Sequence, residues 1–197
     1  MSFFVFLMFL VTSTPVLADY DDAIYYYNSK QFKKSIKEFK KEIDDELSQP
    51  KKKADAMYNL AVIYDNGIGV EQNKEKALHW YKLASDNNHK IAQFNLAWMF
   101  YHGENIEKNN FEAFKYYSMS AEQGYAKAQF NLGNLLYAGE GALKDYILAY
   151  KWFKISLLNG IKESESFLKK VITHMHQDEI KLADDEVAEW LENYKKK

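Results

Sequence analysis

Between residues 54 and 161 the large apolar positions recur at spacings of three, four and seven. That is the pattern of helices that each bury one face. Three windows, 54–89, 90–125 and 126–161, can be laid on one another at a period of 36 residues. Ala56, Ala92 and Ala128 coincide, as do Asn59, Asn95 and Asn131, each followed by Leu. Tyr64, Phe100 and Leu136 share a large apolar position, and Gly67, Gly103 and Gly139 come next. Gly69, Asn105 and Gly141 stand two residues later. Ala77, Ala113 and Ala149 follow, then the pairs Trp80-Tyr81, Tyr116-Tyr117 and Trp152-Phe153. The unit closes on Asn88, Gly124 and Gly160.

Each window predicts a helix, a short glycine turn, a second helix and another turn. In the first window the helices are expected at about 53–66 and 73–87. A phosphate-cradling glycine loop occurs once in a domain, whereas this glycine pair recurs at a fixed period, as in a repeat array. Where Gly is replaced at a turn, at 88 and 105, the substitute is Asn, the next residue to tolerate positive φ. That replacement points to backbone conformation as the requirement. No unit can bury its apolar face alone, so neighbours must stack into a superhelix. The predicted fold class is all-α.

The string Asn-Leu-Ala-Val-Ile-Tyr-Asp-Asn-Gly-Ile-Gly-Val at 59–70, with Lys76-Ala77 and Trp80-Tyr81 after it, resembles the Sel-one-like repeat (SLR). This is a tetratricopeptide-related family, and the match runs over about 54–161. The resemblance implies an α-α superhelix of about three units with degenerate capping helix pairs. Residues 22–46 resemble a tetratricopeptide-type helix pair, with Gln31-Phe32 in place of the turn and Ser35 as the small residue of the second helix. Residues 161–174 look like the first helix of a fourth unit. Residues 177–194 form an amphipathic closing helix that should bury Ile180, Ala183, Val187, Trp190 and Leu191. The expected division is 1–18 as a leader, 19–53 as an N-terminal cap, 54–161 as three units, and 162–197 as a degenerate unit with a capping helix.

Residues 1–18 carry no charged side chain, and their apolar run, Phe3 to Val11, is too short to span a bilayer. Val16-Leu17-Ala18 resembles a signal-peptidase site, and Asp19, Asp21 and Asp22 follow at once. A cleaved leader and a secreted or periplasmic chain with no stable membrane insertion are expected; an uncleaved N-terminal anchor is the alternative. The chain has no Cys, which excludes disulfides, thiolate metal sites and a cysteine nucleophile. Its 26 basic residues are all Lys, and the net charge is –2. A nucleic-acid binder would carry a basic excess, so no nucleic-acid partner is expected. Lys33, Lys34, Lys37, Lys40 and Lys41 alternate with apolar residues at helical spacing and read as a solvated face.

Catalytic constellations are missing: there is no serine on a nucleophile elbow and no HExxH. His174 and His176 are two apart and point to different sides of a helix. No catalytic residue, cofactor or metal is expected. One stripe of the first helices lies away from the centre of the buried face. It holds Asp55, Asn59, Val62, Ile63 and Asn66, then Ile91, Asn95, Trp98, Met99 and His102, then Lys127, Asn131, Asn134, Leu135 and Ala138. In SLR and tetratricopeptide arrays the first helices line a concave groove, so the resemblance implies that this stripe faces it. The candidate groove residues are Asn59, Asn66, Asn95, Trp98, Met99, His102, Asn131 and Asn134. The Asn set offers donors and acceptors to a peptide backbone, and Trp98 and Met99 offer apolar anchors. The Asn set has an equal claim to holding neighbouring helices together. The function expected is an exported, non-enzymatic scaffold for a protein or peptide. The alternative is a cell-wall-directed, β-lactamase-like hydrolase or peptidoglycan-binding protein. Exported SLR proteins proposed for that role carry a disulfide in each repeat, which this chain cannot form.

Overall fold

The computed structural model describes residues 20–196. The leader expected at 1–18 lies outside the described residues. Ten α-helices and no strand are present among the described residues: α1 (Tyr20–Asn28), α2 (Phe32–Asp44), α3 (Pro50–Asn66), α4 (Lys74–Asp86), α5 (Lys90–His102), α6 (Asn110–Glu122), α7 (Ala126–Ala138), α8 (Tyr146–Leu158), α9 (Ser164–Ile172) and α10 (Gln177–Lys195). Helices pair as α1/α2, α3/α4, α5/α6 and α7/α8, and the second helix of each pair packs on the first of the next. The fold is an all-α superhelix. Instead of continuing the stack, α10 returns to pack on α8.

The turns explain the period. Gly67, Gly103 and Gly139 end α3, α5 and α7 with φ of 66°, 71° and 76°. The following N–H groups of Ile68, Glu104 and Glu140 donate back to the carbonyls of Ile63, Met99 and Leu135 at 2.9, 3.0 and 2.9 Å. This is the Schellman closure that a left-handed residue permits. Asn88 and Asn105 both adopt φ of 60°, as their replacement of Gly predicts. At the second turn position conformation is only half of the requirement. A Cβ on Gly69 would come within 2.2 Å of the Phe32 ring, and one on Gly141 within 2.1 Å of the Asn110 carbonyl oxygen. Each of these turns presses against the first residue of a helix in the preceding unit.

A second periodic device starts the other helices. Asn73, Asn109 and Asp145, 36 residues apart, cap α4, α6 and α8. Their side chains accept from the backbone N–H groups of Lys76 (2.8 Å), Phe111 (3.0 Å) and Leu148 (2.9 Å). The core runs along the stack in three adjoining clusters around Leu60, Leu96 and Phe153. Polar groups are buried in it: the Gln93 and Gln129 amides donate to the carbonyls of Ser85 and Ala121 and accept from Gln123 and Asn159, the residues that cap the ends of the same units' second helices. Satisfied on both sides, they fix how each helix pair is set. In the N-terminal cap, buried Ser35 donates to the Ala23 carbonyl at 2.8 Å, as a small residue at a close helix crossing should.

The closing helix buries Ala183, Val187 and Trp190, while Ile180 and Leu191 are half-buried. It is tied down by ion pairs from α8, Lys154 to Asp184 and Lys151 to Glu186 at 3.2 Å. The Trp190 indole N–H reaches Glu122 at 2.8 Å.

Candidate binding groove

Two cavities flank α5 on the side lined by the first helices. One lies against α3 and α5 with a volume of about 280 Å³, the other between α5 and α7 with about 350 Å³. Trp98 borders both and is 40% exposed. The sequence-predicted residues divide over this geometry. Asn95 and Met99 line the first cavity; His102, Asn131 and Asn134 line the second. His102 sits one turn after Trp98, and their rings are 4.3 Å apart.

Asn59 and Asn66 are not brought to either cavity. The Asn59 amide donates to the Tyr20 hydroxyl and to the Asp55 carbonyl, each at 2.9 Å. Asn66 folds back on the Val62 carbonyl at 3.0 Å at the end of α3. Met99 is a correction of another kind. It is only 5% exposed, and its equivalents Ile63 and Leu135 are 0% and 3% exposed. This position lies close enough to the apolar face for Met99 to join the core cluster that α5 forms with α3 and α4. Met99 is a wall of the cavity rather than an anchor for a ligand.

The Asn residues at 95 and 131 have a structural partner each. The Asn95 side chain neighbours the hydroxyl of Tyr81, from the unit before, and the Asn131 side chain neighbours that of Tyr117. Both tyrosines are buried, and burial pushes their hydroxyls far above the ordinary phenol range. They stay protonated, and Tyr81 donates onward to Asp65 at 3.3 Å. Asn95 also neighbours the Tyr58 hydroxyl. Thus the Asn ladder joins successive units while edging the cavities. Tyrosine and asparagine are separated by 14 residues in both cases, a spacing present in the repeat.

The two cavities differ in charge. In the first, Lys74 bridges two carboxylates, Asp65 at 2.8 Å and Glu104 at 3.5 Å. Its ammonium is held above the usual lysine value chiefly by the hydrogen bond to Asp65. One cation shared between two anions leaves the rim with a net negative charge. The second cavity has no carboxylate or lysine in its lining; Trp98, Tyr101, Tyr117 and Phe167 present rings to it. Tyr101 takes the position that Asp65 holds one unit earlier, and it neighbours Glu140, the equivalent of Glu104. Among the described residues no group of three or more His, Cys, Asp or Glu is set to hold a metal ion, and no helix is long and apolar enough to cross a membrane.

A family model for the Sel1 repeat matches residues 8–29, 54–89, 90–125 and 126–160. Among solved structures, the chain is similar to a Sel1 repeat protein from Oxalobacter formigenes, at 30% identity and a TM-score of 0.68 over 76% of this chain and 59% of that one. It is also similar to a protective antigen of uropathogenic Escherichia coli strains that displays an SLR fold, at 22% identity and a TM-score of 0.60 over 90% of this chain and 46% of that one. The cysteine rich protein B of Helicobacter pylori aligns at 21% identity and a TM-score of 0.50 over 61% of this chain and 98% of that one. At these identities the last two share the fold alone. The chain therefore spans about half of the E. coli protein and 59% of the Oxalobacter protein. No curated protein matches.

Proposed function

Since the chain belongs to the Sel1 repeat family, whose members are generally protein–protein interaction scaffolds, we propose that it is an exported, non-enzymatic adaptor that holds a protein or peptide in the groove centred on Trp98. The observation that carries this reading is the exposure of that ring between two cavities. The same position holds Val62 and Asn134 in the other units, so packing does not require an aromatic there. A half-exposed indole flanked by concave, partly polar walls is the composition of a binding hot spot.

The test is selection of peptides from a randomised dodecapeptide library on immobilised protein, in parallel with Trp98→Ala. Binders that lose about thirtyfold in affinity on Trp98→Ala, while the melting temperature barely moves, support the groove. Binders indifferent to Trp98→Ala overturn it. Export rests on residues 1–18, with the mature chain starting at Asp19. The family match that begins at residue 8 runs into this segment. N-terminal sequencing of protein from the envelope or the medium separates the two: Asp19 at the start supports a cleaved leader, and Met1 or Ser2 opposes it.

A further inference from the structure

The two cavities beside α5 prescribe different side chains, and resting on the groove reading we propose that the occupant is an extended peptide carrying a lysine or arginine and, three residues away, an aromatic residue. The cation enters the α3/α5 cavity and the ring enters the α5/α7 cavity.

Charge complementarity assigns the first position. Among the described residues the Glu104 carboxylate has one ion pair, the long, shared contact with Lys74 at 3.5 Å. Asp65, at 2.8 Å, takes the closer share of the ammonium. A second cation at this rim restores balance, and it can lie against the Trp98 face that borders the same cavity. The second cavity has no such demand. Its rings, with the floor residue Leu135, suit an apolar planar side chain, and Asn134 stands at its edge outside the Tyr–Asn frame. Here Tyr101 stands beside Glu140 in the place that Asp65 holds at the first cavity, so one of the two carboxylates is gone.

Spacing follows from the scaffold. The cavities lie on either side of one helix, which with its side chains is about 10–12 Å across. A polyproline II strand turns the same face every three residues over about 9 Å. Side chains at i and i+3 therefore meet successive cavities. A β-strand sends i and i+3 to opposite faces.

The probes are labelled octapeptides with Lys-Pro-Pro-Phe or Phe-Pro-Pro-Lys at the centre and Gly-Ser flanks, titrated by fluorescence polarisation. Controls replace Lys by Glu, replace Phe by Ala, or shorten the spacer by one proline. One of the two orders should bind, and each control should weaken it about five- to tenfold. Glu104→Lys should weaken the lysine peptide and strengthen the glutamate peptide, with Glu104→Gln in between; circular dichroism confirms that both variants fold. If the glutamate peptide binds wild type as well as the lysine peptide does, or Glu104→Lys changes neither, the assignment is overturned. The groove reading survives that result when peptides from the randomised library still depend on Trp98. It falls with the assignment when no peptide shows that dependence.

Discussion

Set side by side, the α3/α5 and α5/α7 cavities share a frame and differ in what they present. Tyr81 with Asn95 in one recurs as Tyr117 with Asn131 in the other, over Met99 and Leu135 as equivalent floors. Asp65 then becomes Tyr101, and Trp98 becomes Asn134. A position that keeps its residue from unit to unit answers to the stacking geometry, which is the same in each. A position that changes is free of that demand and open to a partner's. The next junction completes the comparison. There Phe153 replaces the tyrosine and Phe167 the asparagine, and the two rings pack at 5.2 Å. Polar and apolar solutions therefore occupy one site in the frame, and each needs both members.

The largest test of this division is at the frame. Tyr117 is 2% exposed, and Tyr117→Ala should lower stability by about 3–5 kcal/mol in urea unfolding. Changing the variable position by Trp98→Ala should lower it by far less. Comparable losses at 98 and 117 would abolish the distinction between frame and surface.

A finer test asks whether the polar pair behaves as a pair. Asn131→Ala removes the amide that neighbours the buried Tyr117 hydroxyl, and should cost about 1–3 kcal/mol. In the double variant Tyr117→Phe with Asn131→Ala no hydroxyl is left wanting a partner, so the two losses should fall short of additive by about 1 kcal/mol. Strict additivity would mean that Asn131 acts through something other than Tyr117.

Most of the fold was legible because the repeat writes it three times: the helix pairs, the left-handed Gly67, Gly103 and Gly139, and Asn at 88 and 105. The site was legible only in part, for reasons particular to each residue. Met99 lies at the edge of the apolar face, where a rotation of some tens of degrees decides between wall and surface. Asn59 finds Tyr20, 39 residues earlier in the degenerate cap, where no period points to it. Asp65 and Glu104 belong to non-equivalent positions of successive units and meet only through Lys74. The close approach at Gly69 and Gly141 was hidden by Asn105, whose presence in the same column suggested that conformation alone mattered.

The smallest effect separates the two junctions by pH. His89 caps α5: its Nδ1 accepts from the Ala92 N–H at 3.1 Å, and its Nε2 lies 3.3 Å from Asp55, with the ring stacked on Tyr58 at 4.4 Å. At the equivalent position of α7, Tyr125 makes no side-chain cap. Burial holds the His89 imidazole below its ordinary value; Asp55 opposes this, and Lys90 adds to it weakly. The folded state therefore binds its proton less readily than the unfolded chain, where histidine titrates near about 6.5. A depressed value means that this contribution is fully present above about pH 6.5 and is lost as pH falls through the folded value. The physical loss is the cap, since a protonated Nδ1 cannot accept, and a cap contributes about 1 kcal/mol. Urea midpoints at pH 7.5 and 5.5 should drop further for wild type than for His89→Asn, which keeps a capping oxygen and does not titrate. Hydrogen exchange should place the loss in α5 beside α3 and leave the start of α7 unchanged. Equal pH dependence in the two proteins would show that the His89 cap does not sense protonation.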